Sequence, residues 1–229
     1  PSSHGGKEES RKWKKIRSIG IYMKVLELFC GSKSVGKVFE KYGHEVISLD
    51  IEKKFDPSFC IDFMDWDYTT IKDIDVIWSS PDCSCYSMAA GNHHFNADRT
   101  CKTPKAEKSL LILKKLKECI NYHLELNPNL IYFIENPRAR MRWFNDELPR
   151  HTVCYCKYGL DRMKPTDIWS NIEGFDAKMC KNNNPECNHI RAPRGSKTGT
   201  QSVPKIERYK IPSDLIEEFV KLIVERNDI

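Results

Sequence analysis

The chain has 229 residues, 40% of them apolar, enough for one buried core, and no run of about 20 apolar residues that would cross a membrane. Its ten cysteines sit in a chain too long and too rich in α/β pattern for a secreted disulfide framework; a reducing compartment, cytoplasm or nucleus, is expected, and the opening residues do not read as a signal peptide. Net charge is +5, but Lys7, Arg11, Lys12, Lys14, Lys15 and Arg17 against Glu8 and Glu9 put +4 of it in the first 22 residues, which excludes a uniformly basic nucleic-acid binder and leaves only a local basic surface.

Residues 1–22 lack an apolar period and read as a disordered basic arm or an artificial extension ahead of Met23. Lys24–Phe29 is the first expected strand. Cys30-Gly-Ser-Lys-Ser-Val-Gly36 then turns into a helix ending near Tyr42, with Gly31 and Gly36 permitting close backbone approach at the helix head, as a cofactor cradle needs. Glu45–Asp50 is the second strand. Asp50 stands at its carboxyl end about 20 residues after the glycine turn, where α/β nucleotide sites place an acid for the ribose hydroxyls. Phe59–Asp62 again ends in an acid. Asp75–Trp78 is a short buried strand, followed at once by a Ser- and Pro-rich turn that delivers Cys83. A lone cysteine is more often a small buried hydrophobe, but one at a strand's carboxyl end in a polar turn is a candidate nucleophile.

The loop from Cys83 to about Thr103 is long enough for a mobile lid, and it carries His93-His94, adjacent side chains that rarely share a metal. Leu110, Leu113, Leu116 and Ile120 recur at helical spacing between Pro104 and Leu126. Asn129–Glu135 is a near-continuous apolar run, hence a buried central strand, and a carboxylate at its tip is costly unless it is paired or binds something. That cost singles out Glu135. Thr152–Cys156 and Thr166–Asn171 read as a final antiparallel pair. A cysteine-rich stretch fills 176–190, a basic loop follows (Arg191, Arg194, Lys197, Lys205, Arg208, Lys210), and an amphipathic helix runs from Pro212 to about Arg226.

Cysteine, glutamate and a basic residue from successive strand ends, downstream of a nucleotide cradle, resemble the cytosine-5 methyltransferase family from Val25 to about Val224. Leu28-Phe-Cys-Gly31 is similar to that family's opening S-adenosylmethionine motif. Ser79-Ser-Pro-Asp-Cys83-Ser84 stands for its Gly-Gly-Pro-Pro-Cys-Gln, Glu135-Asn136-Pro137 for its Glu-Asn-Val, and Arg162-Met-Lys164 for its Arg-x-Arg element. Lys33 and Ser34 replace the usual second glycines, Asp82 a proline and Lys164 an arginine, and the segment before the closing helix is shorter than the family's usual target-recognition domain. The resemblance implies a Rossmann-like class I S-adenosylmethionine-dependent methyltransferase fold, a mostly parallel sheet with an antiparallel edge pair, and a short viral or phage-like member of the family. It implies methyl transfer to C5 of cytosine in nucleic acid, DNA before RNA. Cys83 would attack C6 of a flipped-out base, Glu135 would hold or protonate N3, and Arg162 or Lys164 would hold O2. Cys85, two residues on, is the rival nucleophile. S-adenosylmethionine would lie against Phe29, Cys30, Gly31, Ser32, Asp50, Ile51, Asp62, Phe63 and Pro81, with Asp50 on the ribose and Asp62 on the adenine amino group.

The cysteine-rich stretch asks for something else. Cys180, Cys187 and His189, with Cys154 and Cys156 expected on one face of the upstream strand, supply five candidates for four tetrahedral zinc positions; Cys156, Cys180, Cys187 and His189 are the chosen set and Cys154 the substitute. The expected organisation is a catalytic core over 23–172, a small Cys/His-rich basic recognition segment over 173–210, and a closing helix over 211–229, in a monomer. The alternative is a catalytically silent member that only binds nucleic acid or a partner; retention of both Cys83 and Glu135 argues against it. A folate-dependent pyrimidine C5-modifying enzyme would need an early arginine cluster, and a small-molecule methyltransferase leaves the basic loop unexplained.

Overall fold

Side-chain alternation decides the architecture. In β1 (Lys24–Leu28), β4 (Val76–Ser79) and β5 (Ile131–Pro137) both faces are apolar: Val25, Val76, Trp78, Ile131 and Phe133 pack on one side, and Leu26, Leu28, Ile77, Tyr132 and Ile134 on the other. A strand with two apolar faces has to be covered twice. The computed structural model, which describes residues 22–181, 183–190 and 204–227, shows what covers it. Helices α1 (Gly36–Lys41) and α4 (Ser213–Asn227) lie on the first face through Val38, Phe39, Leu215, Phe219 and Ile223. Helix α2 (Pro104–Leu126) lies on the second through Leu113, Leu116 and Ile120. Its start is fixed locally, by Pro104 in the first turn and by the Thr103 hydroxyl accepting the Ala106 N–H at 3.2 Å.

With β2 (Glu45–Asp50), β3 (Phe59–Cys60), β6 (Arg150–Cys154) and β7 (Pro165–Ser170), the sheet has seven strands in the order β3-β2-β1-β4-β5-β7-β6. Strands β1 to β5 are parallel; β7 runs antiparallel between β5 and β6. The chain starts in the middle, winds out to β3, and returns to lay β4 on the other side of β1. This reversal opens a crevice at the carboxyl ends of β1 and β4, where open α/β sheets bind ligands. The ends of β2 and β5 flank it.

Two expectations change. The strand expected through Cys156 stops at Cys154, because Tyr155–Tyr158 form a 3-10 turn closed by Gly159 at φ 92. Cys154 and Cys156 therefore do not share a strand face: Cys154 is buried and Cys156 is carried out on the turn. The segment from Cys83 to Thr103 is anchored along its length. Cys83–Ser87 form a helical turn, Phe95 bridges Cys101, and the buried rings of Tyr86 and Phe95 stack at 5.8 Å. A short helix, α3 (Lys205–Tyr209), stands where the basic loop was expected to continue. The basic arm up to residue 21, and Arg191, Arg194 and Lys197, lie outside the described residues.

Candidate active site and metal centre

The cradle is built from the end of β1. Phe29 and Gly31 both take left-handed backbone (φ 57 and 49), which turns the chain sharply between strand and helix. Glu27, buried in β1, accepts the N–H groups of Val35 (3.3 Å) and Gly36 (3.1 Å) at the head of α1. Burial pushes its carboxyl up to about 8 against the pull of those two donors. A Cβ on Gly36 would lie 2.6 Å from Glu27 Oε2, so only glycine lets the helix approach β1 this closely. Asp50 faces the turn from the end of β2, accepting the N–H of Gly31 on Oδ2 (2.9 Å) and of Glu52 on Oδ1 (2.8 Å), with one lone pair left on each oxygen. Ile51, the next residue, leaves 63% of its surface exposed. Asp62 accepts Met64 N–H (3.0 Å) and an ammonium bond from Lys108 (2.8 Å), and the latter holds its carboxyl below the usual range. The rings of Phe29 and Phe63 meet at 5.0 Å between these acids. Glycine-shaped backbone, a ribose-competent acid and exposed apolar surface at one sheet edge fit an adenosyl cofactor. Of the expected contacts, Ser32 hydrogen-bonds Ser34 (3.4 Å), Cys30 is buried, and Pro81 is buried on the neighbouring loop.

Across the crevice, β4 and β5 are register partners, Ser79 beside Ile134, so their carboxyl-end loops are adjacent. The Asn136 side-chain amide donates to the Pro81 carbonyl (2.9 Å), locking the two loops together. Cys83 follows, half-buried at the head of its helical turn. Burial pushes its thiol up to about 11; Glu135 and Asp82 nearby push the same way, and Lys164 pulls it down. Glu135 is buried at the end of β5, its Oε1 accepting the hydroxyl of Tyr155 (2.9 Å). Lys164 sits 4.6 Å over the Tyr155 ring and donates to the carbonyl of Arg208 (2.7 Å). Burial lowers its ammonium pKa, while Glu135 and Cys83 raise it. Thiol, carboxylate and ammonium therefore lie close enough to act on one another's charge. Arg162 Nε faces the Asp161 carboxylate instead (3.9 Å), an ion pair too long for a hydrogen bond. Cys85, the rival nucleophile, is fully buried, with Ser109 donating to its sulfur (3.3 Å), whereas Cys83 is half-buried.

Three side chains of this pocket escaped the sequence reading. Asn136 belongs to the Glu-Asn-Pro motif, which by itself gives it no role. Tyr155 lies in a stretch that reads as strand. Tyr209, whose phenol is pushed up by burial and by neighbouring Cys83 and Asp82, comes from the short helix α3.

Beyond the end of β6, Cys156, Cys180, Cys187 and His189 bring three sulfurs and one ring nitrogen within 4.8 Å of one another. Cys154, the substitute candidate, is not among them: its sulfur faces the carbonyl of Cys180 (3.6 Å). His189 Nδ1 faces Cys187 Sγ at 3.1 Å and Cys180 Sγ at 3.7 Å. Three thiols and an imidazole in one such group form a donor set that suits a tetrahedral soft-to-borderline ion.

The strand order, the glycine-turned β1 end and the reversed β7 define a Rossmann-like class I methyltransferase fold with a cysteine-rich insertion. No family model matches the chain. A Frog virus 3 (isolate Goorha) protein named "Probable DNA (cytosine-5)-methyltransferase" is 30% identical over 220 residues, 87% of this chain and 100% of the viral one. The chain belongs to the cytosine-5 methyltransferase family. Among solved structures, a DNMT2 mutant from Spodoptera frugiperda aligns at 15% identity and TM-score 0.42 over 74% of this chain and 57% of that one. Dnmt2 of S. pombe aligns at 12% identity and TM-score 0.39 over 69% and 52%. The chain thus spans little more than half the length of these structures. No described helix is long and apolar enough to cross a membrane.

Proposed function

We propose that the chain transfers a methyl group from S-adenosylmethionine to C5 of cytosine in DNA, through a covalent bond between Cys83 and C6 of a flipped-out base. The observation that supports this is the convergence at the end of β5: Asn136 ties the Cys83 loop to β5 through the Pro81 carbonyl (2.9 Å), and Tyr155 donates to Glu135 (2.9 Å) with Lys164 4.6 Å over its ring. C5 is a poor nucleophile until C6 is attacked. The Cys83 thiolate adds to C6, and Glu135 holds N3 and the exocyclic amine as electron density moves into the ring. Lys164, or Arg162, meets the charge developing at O2. The resulting enamine carbon C5 takes the methyl, a base removes the C5 proton, and the C6–S bond breaks to return the thiolate. Bound S-adenosylmethionine supplies the electrophilic methyl; Phe29, Cys30, Gly31, Ser32, Asp50, Ile51, Asp62, Phe63 and Pro81 would hold it. An open cleft lined by Met88, Arg138, Ala139, Arg140 and Trp143 beside the end of β5 offers a largely apolar surface for bases, with Arg138 and Arg140 beside it for phosphates.

In this reading the chain is a short member of its family, a monomer of the cytoplasm or nucleus. Residues 23–172 form the catalytic core, 173–210 the reduced recognition segment and 211–229 the closing helix. A structural Zn²⁺ sits on Cys156, Cys180, Cys187 and His189. The test is to incubate the protein with methyl-tritiated S-adenosylmethionine and either DNA or RNA, digest to nucleosides and identify the label. Label in 5-methyl-2′-deoxycytidine is expected. Label in 5-methylcytidine alone would move the substrate to RNA, and label on another base, or none, would overturn the assignment.

A further inference from the structure

One turn, Cys154–Asp161, separates the cysteine group from the reacting pocket, and segment 178–190 grips that turn at three points. Cys154 N–H donates to the Lys178 carbonyl (2.9 Å), Cys156 adds its sulfur to the four-donor group, and Ile190 N–H donates to the Asp161 carbonyl (2.7 Å). Held between these grips is Tyr155, fully buried, which donates to Glu135 and lies under Lys164. Glu135 and Lys164, two of the three charged neighbours of Cys83, therefore rest on one tyrosine.

Apolar burial does not explain how the gripping segment keeps its shape. Met179 and Ile190 are exposed, and among the described residues from 180 to 190 the only buried side chain is that of His189. Its Nδ1 converges with the three sulfurs on a common point. Zinc–sulfur bonds of about 2.3 Å place tetrahedral ligand sulfurs about 3.8 Å apart, so a group whose donor atoms all lie within 4.8 Å of one another needs only small shifts to close on an ion. The Asn184 amide, 3.7 Å from Cys180 Sγ, is placed as an outer partner for that thiolate. We infer that Zn²⁺ bound by these four residues clamps the turn, and that Tyr155 is the positioning residue through which the ion sets Glu135 and Lys164; this rests on the methyltransferase reading above.

The full chain should carry one zinc by elemental analysis. Cys156→Ser, Cys187→Ser and His189→Ala should lose it, while His189→Cys, which restores a four-thiolate set, and Cys60→Ser should keep it. Tyr155→Phe should keep zinc and S-adenosylmethionine affinity but lower kcat about tenfold or more, with KM for DNA little changed. Cys187→Ser, or chelation of the unaltered protein if that variant fails to fold, should lower kcat similarly, and the two together should be no worse than either alone. The alkylation rate of Cys83 by iodoacetamide, read by peptide mapping, should shift in the same direction for both, a readout that survives even if no methyl transfer is found. Zinc-free protein with undiminished turnover and unchanged Cys83 alkylation would overturn the clamp. Effects of zinc loss and Tyr155→Phe that multiply would overturn the route through Tyr155.

Discussion

In the proposed mechanism Cys83 is the nucleophile, yet the folded protein disfavours its thiolate. With its thiol pushed up to about 11, on the order of one molecule in ten thousand carries the thiolate at pH 7. The dominant cause is burial and the next is Glu135, so ionisation must come with a change in that surrounding, such as the base entering against Glu135. Lys164 is the group that opposes the rise. The alkylation rate of Cys83 should therefore climb about tenfold per pH unit up to about 11. Lys164→Met removes the opposing charge, moves the thiol pKa higher, and should slow alkylation at every pH below that. A plateau near pH 8 would mean that the thiol is already activated without substrate. At the same scale, Lys33 occupies left-handed backbone (φ 56) at the place where the family carries glycine. Lysine thus carries here a conformation that glycine adopts more readily.

Among the elements, β7 carries the heaviest polar load. Asp167 is fully buried and accepts two bonds of 2.6 Å from the Arg142 guanidinium, with Thr152 donating a third at 2.7 Å. This joins the turn after β5 to the antiparallel edge. Arg142→Ala would leave a buried carboxylate half-paired, costing about 3 kcal/mol, or roughly 10 °C in a chain of this size. A fall in Tm of under 2 °C would show that Asp167 is satisfied from elsewhere. The central strands were legible because two apolar faces leave a continuous run that only a covered strand can hold, and α2 because its leucines repeat at helical spacing. The end of β6 was not. Alternation through Val153, Cys154, Tyr155 and Cys156 looks like strand, yet the chain turns at Tyr155 to bury that ring and free Cys156. Period two cannot distinguish a strand from the first step of such a turn.

At the scale of the whole molecule, the strand order does the assembling. Cys83 and Glu135 were legible because each sits at or just past a strand's carboxyl end, whereas Arg162 and Lys164 precede β7, whose antiparallel course brings its amino end to the same edge. What local sequence cannot carry is which side chains meet across that edge. Tyr155 reaches Glu135 from the far side of β7, and Asn136 reaches Pro81 from 55 residues away. Tyr209 arrives from beyond the cysteine-rich insertion. The same wrapping places the four-donor group behind the pocket, so that the insertion and the chemistry share one turn.

The covalent step is the centre of this account, and trapping it is the direct measurement. DNA carrying 5-fluorocytosine blocks loss of the C5 substituent after methylation, so incubation with S-adenosylmethionine should leave a protein–DNA adduct stable to denaturation. Peptide mapping should place the adduct on Cys83, and Cys83→Ala should form none while keeping its fold and cofactor affinity. Methylated cytosine without any adduct, or an adduct on another cysteine, would contradict it.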